Sequence, residues 1–596
     1  MSRLVLGIGA FALIACTDAS PPAPRPAPAL PVDGTARPGA SDPLAPPTAF
    51  VRDPAVSEAA ALVVIDGTGR DGICAATRAQ DRVALATWFT EDFRGYGPQA
   101  RPEASTEPGP GLLREIYGAA DTALDAAGFV AAWWPHVAGF AAVERCRFKP
   151  FHFRLEANDA RSAWAEVAVE VGGRLADGQA EMRRGTWSVR LHLEGDRWRL
   201  RGARTGPLEV VRGQPAFADV GDQVGVGLYL DPATRERAAA QTDRGARTSI
   251  GGLAALDWDH DGFEDLLSWL QGTGLTLFRN DGRGGFEATP DLLPAREVGH
   301  ALLVLDLDGD GVDEVVTSEV VGCEGDVARL GLYRRHGAAL EALTQGLPFA
   351  YPCGRVQAAD LRAGPTVTYQ HLAPADVDGD GDLDLFAAGY SGAGSFSERF
   401  NYFQADDGEA NLLFLNEGGL RFREVGRDRG LAEQHYSYVA AWLDLDADGD
   451  LDLFVGNDYG ADDVYLNDGR GWFGRALDHP LASQGWSMGA AVADLDGDGV
   501  LDLSVSRMYS TAGNRVVPLV SDRLGAGALQ GALTAAAGNA LYSGAAGWRD
   551  RAVDLGLDHA GWAWGQAAAD LDDDGDPDLL VVNGMTSHRT NKGADY

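Results

Sequence analysis

The sequence predicts a mainly β protein: a six-bladed β-propeller, with seven blades as the alternative count, preceded by a small α+β cone-like domain. Three observations lead there. A nine-residue acidic pattern, D-x-D-x-D-G-x-x-[DE], begins at Asp257, Asp306, Asp376, Asp444, Asp494 and Asp570. Each copy lies between short apolar runs, and most are followed by a second hairpin, as at Leu275–Glu287, Leu412–Glu424 and Val464–Phe473, which makes four strands per unit. Upstream, between 56 and 205, helical spacing gives way to period-two alternation.

Taken in order, the chain opens with Arg3 and an apolar run from Leu4 to Ala15, too short to span a bilayer as a stable helix. Leu13-Ile14-Ala15-Cys16 resembles a bacterial lipobox, which implies a signal peptide over 1–15 and a lipidated Cys16; an ordinary secretory signal is the alternative. Thr17, rather than an Asp, follows the cysteine. The expected location is therefore the cell envelope of a bacterium, at the outer membrane. Residues 16–55 are rich in Pro and Ala and read as an extended linker.

Within 56–205, Asp81–Phe93 and Gly128–Ala142 carry helical spacing, the second interrupted at Pro135. Ala163–Val171, Gln179–Leu193 and Trp198–Arg204 then alternate, with Gly172-Gly173 and Glu194-Gly195-Asp196 as turns, and predict an antiparallel meander. Helices followed by a curved sheet resemble the nuclear-transport-factor-2-like and SnoaL-like proteins, some of which carry a pocket inside the cone. His136, His152, Asp92 and Glu91 are the acid-base candidates there. Trp88, Trp133, Trp134, Trp164, Trp187 and Trp198 read as core and pocket lining. With Cys16 set aside, Cys74, Cys146, Cys323 and Cys353 remain, and the economical pairing is Cys74 with Cys146 and Cys323 with Cys353.

Residues 206–584 form the repeat array, and 585–596 a tail. Carboxylates at positions 1, 3, 5 and 9 of each loop converge on one centre only if the chain wraps tightly, and glycine at position 6 permits that wrap. Hard oxygen donors so placed suit Ca²⁺, giving about six sites. Strands rather than helices flank the loops, so they are not EF-hands. The formal charge of −37 is mostly ligand inventory, because 30 of the 87 acidic residues lie in the six loops. The remaining acidity argues against nucleic acid, whose phosphates require Lys and Arg clusters.

The acidic loops, the Leu-Tyr-or-Phe-x-Asn-x-Gly hairpins and the Gly-Trp-x-x-Gly stretches at Gly485 and Gly561 resemble the FG-GAP or VCBS repeats of integrin α-subunit heads, and especially the cartilage acidic protein and UnbV-related group. The resemblance implies a calcium-loaded extracytoplasmic propeller and no reaction. Only 585–596 follow the array, so no activity of a C-terminal extension is expected. It assigns one oxygen each to position 1 (Asp257, Asp306, Asp376, Asp444, Asp494, Asp570), position 3 (Asp259, Asp308, Asp378, Asp446, Asp496, Asp572) and position 5 (Asp261, Asp310, Asp380, Asp448, Asp498, Asp574). Position 7 gives a backbone carbonyl (Phe263, Val312, Asp382, Asp450, Val500, Asp576), and position 9 binds bidentately (Asp265, Glu314, Asp384, Asp452, Asp502, Asp578). His260 and Phe263 in the first loop and Glu314 in the second depart from the pattern, so those two sites are expected to differ in affinity.

Loop spacings of 49, 70, 68, 50 and 76 residues place insertions at Val321–Thr366, Gly389–Glu409 and Arg507–Asn539, where partners are expected to bind. Leu208–Val220 resembles Leu541–Val553 and is expected to supply the outer strands of the last blade, closing the ring. Gly485-Trp486-Ser487-Met488-Gly489 matches the G-x-S-x-G nucleophile pattern, but a strand rather than a helix follows it, and the repeat explains it. The expected function is a protein- or glycan-binding adhesion module held to the membrane through Cys16. The alternative is a hydrolase- or lyase-type enzyme with a pocket in the cone or on the propeller face.

Overall fold

The computed structural model describes residues 44–583 apart from 110, 215–219, 227–250, 271–273, 294–299, 338, 352–366, 392–394, 396–403, 511–512, 514–515, 520–525, 559 and 572–573. Cys16, Cys353 and Asp572 lie outside the described residues. No described helix is long and apolar enough to cross a membrane. The chain divides into two compact units, the second formed by Asp219–Ser510 with Gln530–Asn591.

In the first unit, α1 (Pro54–Val63) starts at Asp53, whose carboxylate accepts hydrogen bonds from the Ala55 and Val56 amides. It continues into a wide π-helical segment over Val64–Cys74, followed by α2 (Ala75–Arg78) and α3 (Arg82–Ala86). The helix expected over Asp81–Phe93 ends at Ala86, and Phe89–Tyr96 is strand β1. Buried Phe89 and Phe93 and the parallel pairing with a later strand override the local helical spacing. The second expected helix is split as anticipated: α4 (Ala126–Trp133) stops, Pro135 opens α5 (Pro135–Ala138), and Phe140 already begins a strand.

Strands β2 (Ala104–Gly109), β3 (Leu112–Tyr117), β4 (Phe140–Glu156), β5 (Asp159–Leu175), β6 (Ala180–Glu194) and β7 (Arg197–Gly213) complete a sheet ordered β2-β3-β7-β6-β5-β4, with β1 on β7. Register shifts in the β4–β5 pair, for example between Pro150 and His152, mark bulges of the kind that bend a sheet. Its inner face buries Phe89, Phe93, Phe129, Trp133 and Trp187, with Trp133 and Trp187 edge to face at 4.8 Å. The Cys74–Cys146 disulfide ties the π-helical segment to β4, with Cα atoms 5.4 Å apart. Cys323 is also disulfide-bonded.

The closure expected of Leu208–Val220 is not what the structure forms. Leu208–Gly213 continues β7, pairs with both β3 and β6, and buries Leu208 and Val210 in the first core. The alternation that begins at Trp198 simply runs on, so the strand has no reason to leave its sheet.

The second unit is a succession of antiparallel sheets. They are β8 to β11 (Gly251–Leu256, Asp265–Leu270, Leu275–Asn280, Phe286–Leu293) and β12 to β16 (Leu302–Leu305, Glu314–Glu324, Val327–His336, Ala339–Ala342, Leu347–Ala350). Next come β17 to β20 (Thr368–Ala375, Asp384–Ser391, Leu412–Asn416, Phe422–Glu424) and β21 to β24 (Tyr436–Leu443, Asp452–Asp458, Asp463–Asn467, Phe473–Arg475). The last are β25 to β28 (Gly489–Ala493, Asp502–Ser506, Ala540–Ser543, Arg549–Asp550) and the pair β29 (Ala563–Ala569) and β30 (Asp578–Asn583). Every acidic loop joins the first strand of a sheet to the second. First strands of consecutive sheets pack beside one another, β8 to β12, β12 to β17, β17 to β21, β21 to β25 and β25 to β29. This is a propeller-like succession whose sheets do not close into a ring among the described residues. Within the insertion expected from Val321, β13 and β14 extend as a long hairpin and β16 adds a fifth strand.

Candidate metal loops and an aromatic carboxylate cluster

Position 9 is the hub of each loop. Asp265, Glu314, Asp384, Asp452 and Asp502 open the second strand of their sheets and are at most 1% exposed. One carboxylate oxygen accepts the backbone N–H of position 2, at 2.8 Å from Trp258, 3.0 Å from Leu307 and Val377, 2.7 Å from Leu445 and 2.9 Å from Leu495. The other accepts an N–H from the following hairpin, from Asn280 at 2.6 Å and from Asn416 and Asn467 at 2.8 Å. The asparagine side chains reach further. Asn416 Nδ2 donates to Leu307 O at 3.1 Å and Asn467 Nδ2 to Val377 O at 2.9 Å, tying each hairpin to the loop of the preceding sheet.

Position 1 fixes the turn. Both oxygens of Asp376 accept backbone N–H groups, from Asp380 at 3.2 Å and Gly381 at 3.0 Å, and the same pair recurs at Asp257, Asp306, Asp444, Asp494 and Asp570. The position 6 glycines have positive φ, 94° at Gly381 and 97° at Gly449, as the wrap requires.

These bonds bring carboxylate oxygens of positions 1, 3 and 9 within 4.8 Å of one another in five loops: Asp257, Asp259 and Asp265; Asp306, Asp308 and Glu314; Asp376, Asp378 and Asp384; Asp444, Asp446 and Asp452; Asp494, Asp496 and Asp502. Position 5 stays outside that group, and its Oδ1 accepts the position 7 N–H, as from Asp382 to Asp380 at 3.0 Å. The loop at Asp570 repeats the turn bonds.

The donor set fits a hard cation on two grounds. Asp378 Oδ1 and Asp496 Oδ1, both at position 3, are buried without a hydrogen-bond partner. Burial also pushes the Asp384 carboxyl up to about 7, with Asp378 and Asp380 adding repulsion, and it moves Asp265, Glu314, Asp452 and Asp502 in the same direction. A divalent ion reverses both penalties, and oxygen-only donors suit Ca²⁺.

Residues 239–317, 376–455 and 444–505 match the FG-GAP-like repeat family. No curated protein matches the chain. Similar solved structures include LinA, at 13% identity and TM-score 0.18, covering 26% of this chain and 90% of LinA. An NTF2-like protein of unknown function from Pseudomonas putida KT2440 follows at 13% identity and TM-score 0.15, covering 26% and 85% of the two chains. The hexachlorocyclohexane dehydrochlorinase LinA-type3 from Novosphingobium barchaimii LL02 has 11% identity and TM-score 0.17, covering 26% and 87%.

The acid-base candidates of the first unit fall into separate surroundings. His136 is buried between Trp133 and Tyr117, and desolvation, with Arg183 nearby, lowers its pKa to about 4. His152 Nδ1 lies 2.6 Å from Glu166 on the β4–β5 face. Asp92 is exposed, held by Thr90 and Arg201, and shares a shallow depression with Glu91, His192, Glu194 and Arg199. Ser487 is fully buried, donates to Asp462 at 2.8 Å and accepts from Arg507, and strand β25 follows it.

A second cluster sits at the strand ends remote from the acidic loops. Seven rings from four consecutive sheets touch in series: Trp562 to Trp564, stacked at 6.0 Å and 9°, then Tyr438, Tyr390, Tyr436, Tyr459 and Trp486. Two carboxylates join them. Asp458 accepts from Tyr390 at 2.9 Å and Asp407 from Tyr436 at 3.0 Å, and burial pushes Asp458 up to about 7. Tyr390, Tyr438, Asp458, Trp486, Trp562 and Trp564 are half-buried rather than sealed in the core. Part of the signal for this cluster is in the repeats, since Tyr390 and Tyr459 follow position 9 by six and seven residues.

Two outcomes are expected. Asp452→Asn removes one carboxylate from an arginine-free loop, and the rise in melting temperature on adding calcium shrinks accordingly. At a hundredfold excess over Kd one site is worth about 2.7 kcal/mol, readable by calorimetry. For His136, the unfolded imidazole protonates near 6.5 and the folded one only near 4, so stability is lost as pH falls through that interval. His136→Leu lacks this loss, and its stability relative to wild type improves by about 3 kcal/mol between neutral pH and pH about 4, measured by chemical unfolding.

Proposed function

We propose that this chain is a lipid-anchored, extracytoplasmic β-propeller of the cartilage acidic protein and UnbV-like group, stiffened by calcium at its acidic loops, that binds glycan at the opposite end of the array. The ring of six blades, or seven, is part of this reading, as is placement in a bacterial envelope. Leu13–Cys16 supports the anchor, and the Cys74–Cys146 disulfide suits an oxidising compartment.

The observation that carries the function is the aromatic carboxylate cluster. Sugar rings present flat C–H faces to indole and phenol rings and hydroxyls to carboxylates, and half-buried Trp and Tyr supply apolar area with polar tips. Parallel Trp562 and Trp564 offer the stacking surface, and Asp458 and Asp407, each already oriented by a tyrosine hydroxyl, offer acceptors.

A second reading, a glycoside hydrolase, draws on the same two carboxylates: Asp458, which burial pushes up to about 7, would act as acid and Asp407 as base or nucleophile. The test is a glycan panel against the detergent-solubilised full chain in calcium. Binding that falls at least tenfold in Trp564→Ala and Asp458→Asn supports the proposal. Binding unchanged in both variants, or absent throughout the panel, rejects it, and release of free sugar replaces it with the hydrolase.

A further inference from the structure

The loop that begins at Asp306 already contains a cation. Arg334 on β14 pairs across the ladder with Glu314, and its guanidinium enters the carboxylate group from that position. Its Nε lies 2.8 Å from Glu314 Oε1, and Nη2 lies 3.4 Å from Asp310 Oδ2 and also bonds Asp308. Positions 9, 5 and 3 therefore share one fixed charge, and two of the three clustered ligands of this loop, Asp308 and Glu314, are engaged by it.

The other loops differ at the equivalent ladder position. One step along the register, Asp384 faces Leu415 and Asp452 faces Leu466, neither of which carries charge. Asp265 faces Arg279, whose guanidinium turns outward to Glu287 at 3.0 Å and stays 3.9 Å from Asp259. Asp502 faces Ser543, and there Arg551 contacts a single carboxylate, Asp496.

A divalent ion needs the same oxygens at about 2.3–2.6 Å, so it cannot share them with the guanidinium. Displacing the guanidinium means breaking charge-assisted bonds to Glu314 and Asp308 and the ion contact with Asp310 at once. An arginine also stays charged at any working pH. The second oxygen of Asp308 remains unpartnered, so the arginine answers the charge without filling every lone pair.

We propose that Arg334 takes the place of calcium in the loop at Asp306, making the β12–β16 sheet metal-independent within an otherwise metal-dependent array. The inference rests on reading the other loops as calcium sites. The neighbouring sheets on both sides then dock against a blade that keeps its shape when calcium is withdrawn.

The test counts ions per chain by equilibrium dialysis against calcium followed by elemental analysis. Arg334→Leu, which copies Leu415 and Leu466, is expected to bind one ion more than wild type. The reverse change, Leu466→Arg, is expected to bind one fewer, and it carries the test if Arg334→Leu does not fold. An equal, non-zero count in wild type and Arg334→Leu, or an unchanged count in Leu466→Arg, overturns the arginine closure while leaving the calcium reading intact. A wild-type protein without bound ions rejects the calcium reading itself.

Discussion

Repulsion between carboxylates is the constraint on which the second unit depends. Five of the loops draw three acidic side chains to within 4.8 Å, and the innermost of each group is almost wholly buried. Unit charges at such a separation repel by about 4 kcal/mol even at an effective dielectric of 20. Backbone N–H groups offset part of this, two on position 1 and at least one on position 9, and a bound cation would offset the rest. The same bonds fix the geometry of the sheets, because position 9 joins its loop to the hairpin and the hairpin asparagine joins it to the preceding loop. Loop and sheet-to-sheet contact are one connected system, and a cation held in the loop would belong to it.

That system occupies one end of the strands and leaves the other free to vary. The remote ends carry the aromatic cluster and buried polar groups such as the Asp462–Arg507 pair, with Ser487 between them. Insertions fall there too, between β18 and β19 and between β26 and β27. A scaffold whose rigidity is supplied at one end tolerates sequence change at the other, the usual arrangement of function on a repeat array.

The repeating part of the fold was legible in the sequence because the units state their own pattern: an acidic loop with glycine at position 6 in all six and a hairpin asparagine in three of them. The break at Pro135 and the alternation of β5, β6 and β7 were legible for similar local reasons. Elements decided by distant partners were not. Phe89–Tyr96 looks helical until its pairing with β7 is known, and β7 absorbs Leu208–Gly213 because two neighbouring strands and a core await them. Likewise Arg334 is one cation among many in the sequence, and only the β13–β14 register aims it at three carboxylates. The aromatic cluster was hidden because its rings come from strands far apart in the chain, although the recurrence of Tyr390 and Tyr459 after position 9 was visible.

Amide hydrogen exchange on the full chain, with calcium and in excess chelator, reads whether a cation holds the sheets together. Chelation is expected to strip protection from β17, β18, β21 and β22, which flank the arginine-free loops, while β4 to β7 of the first unit exchange at the same rate in both conditions. Equal protection of β17, β18, β21 and β22 with and without calcium would mean that no cation braces them.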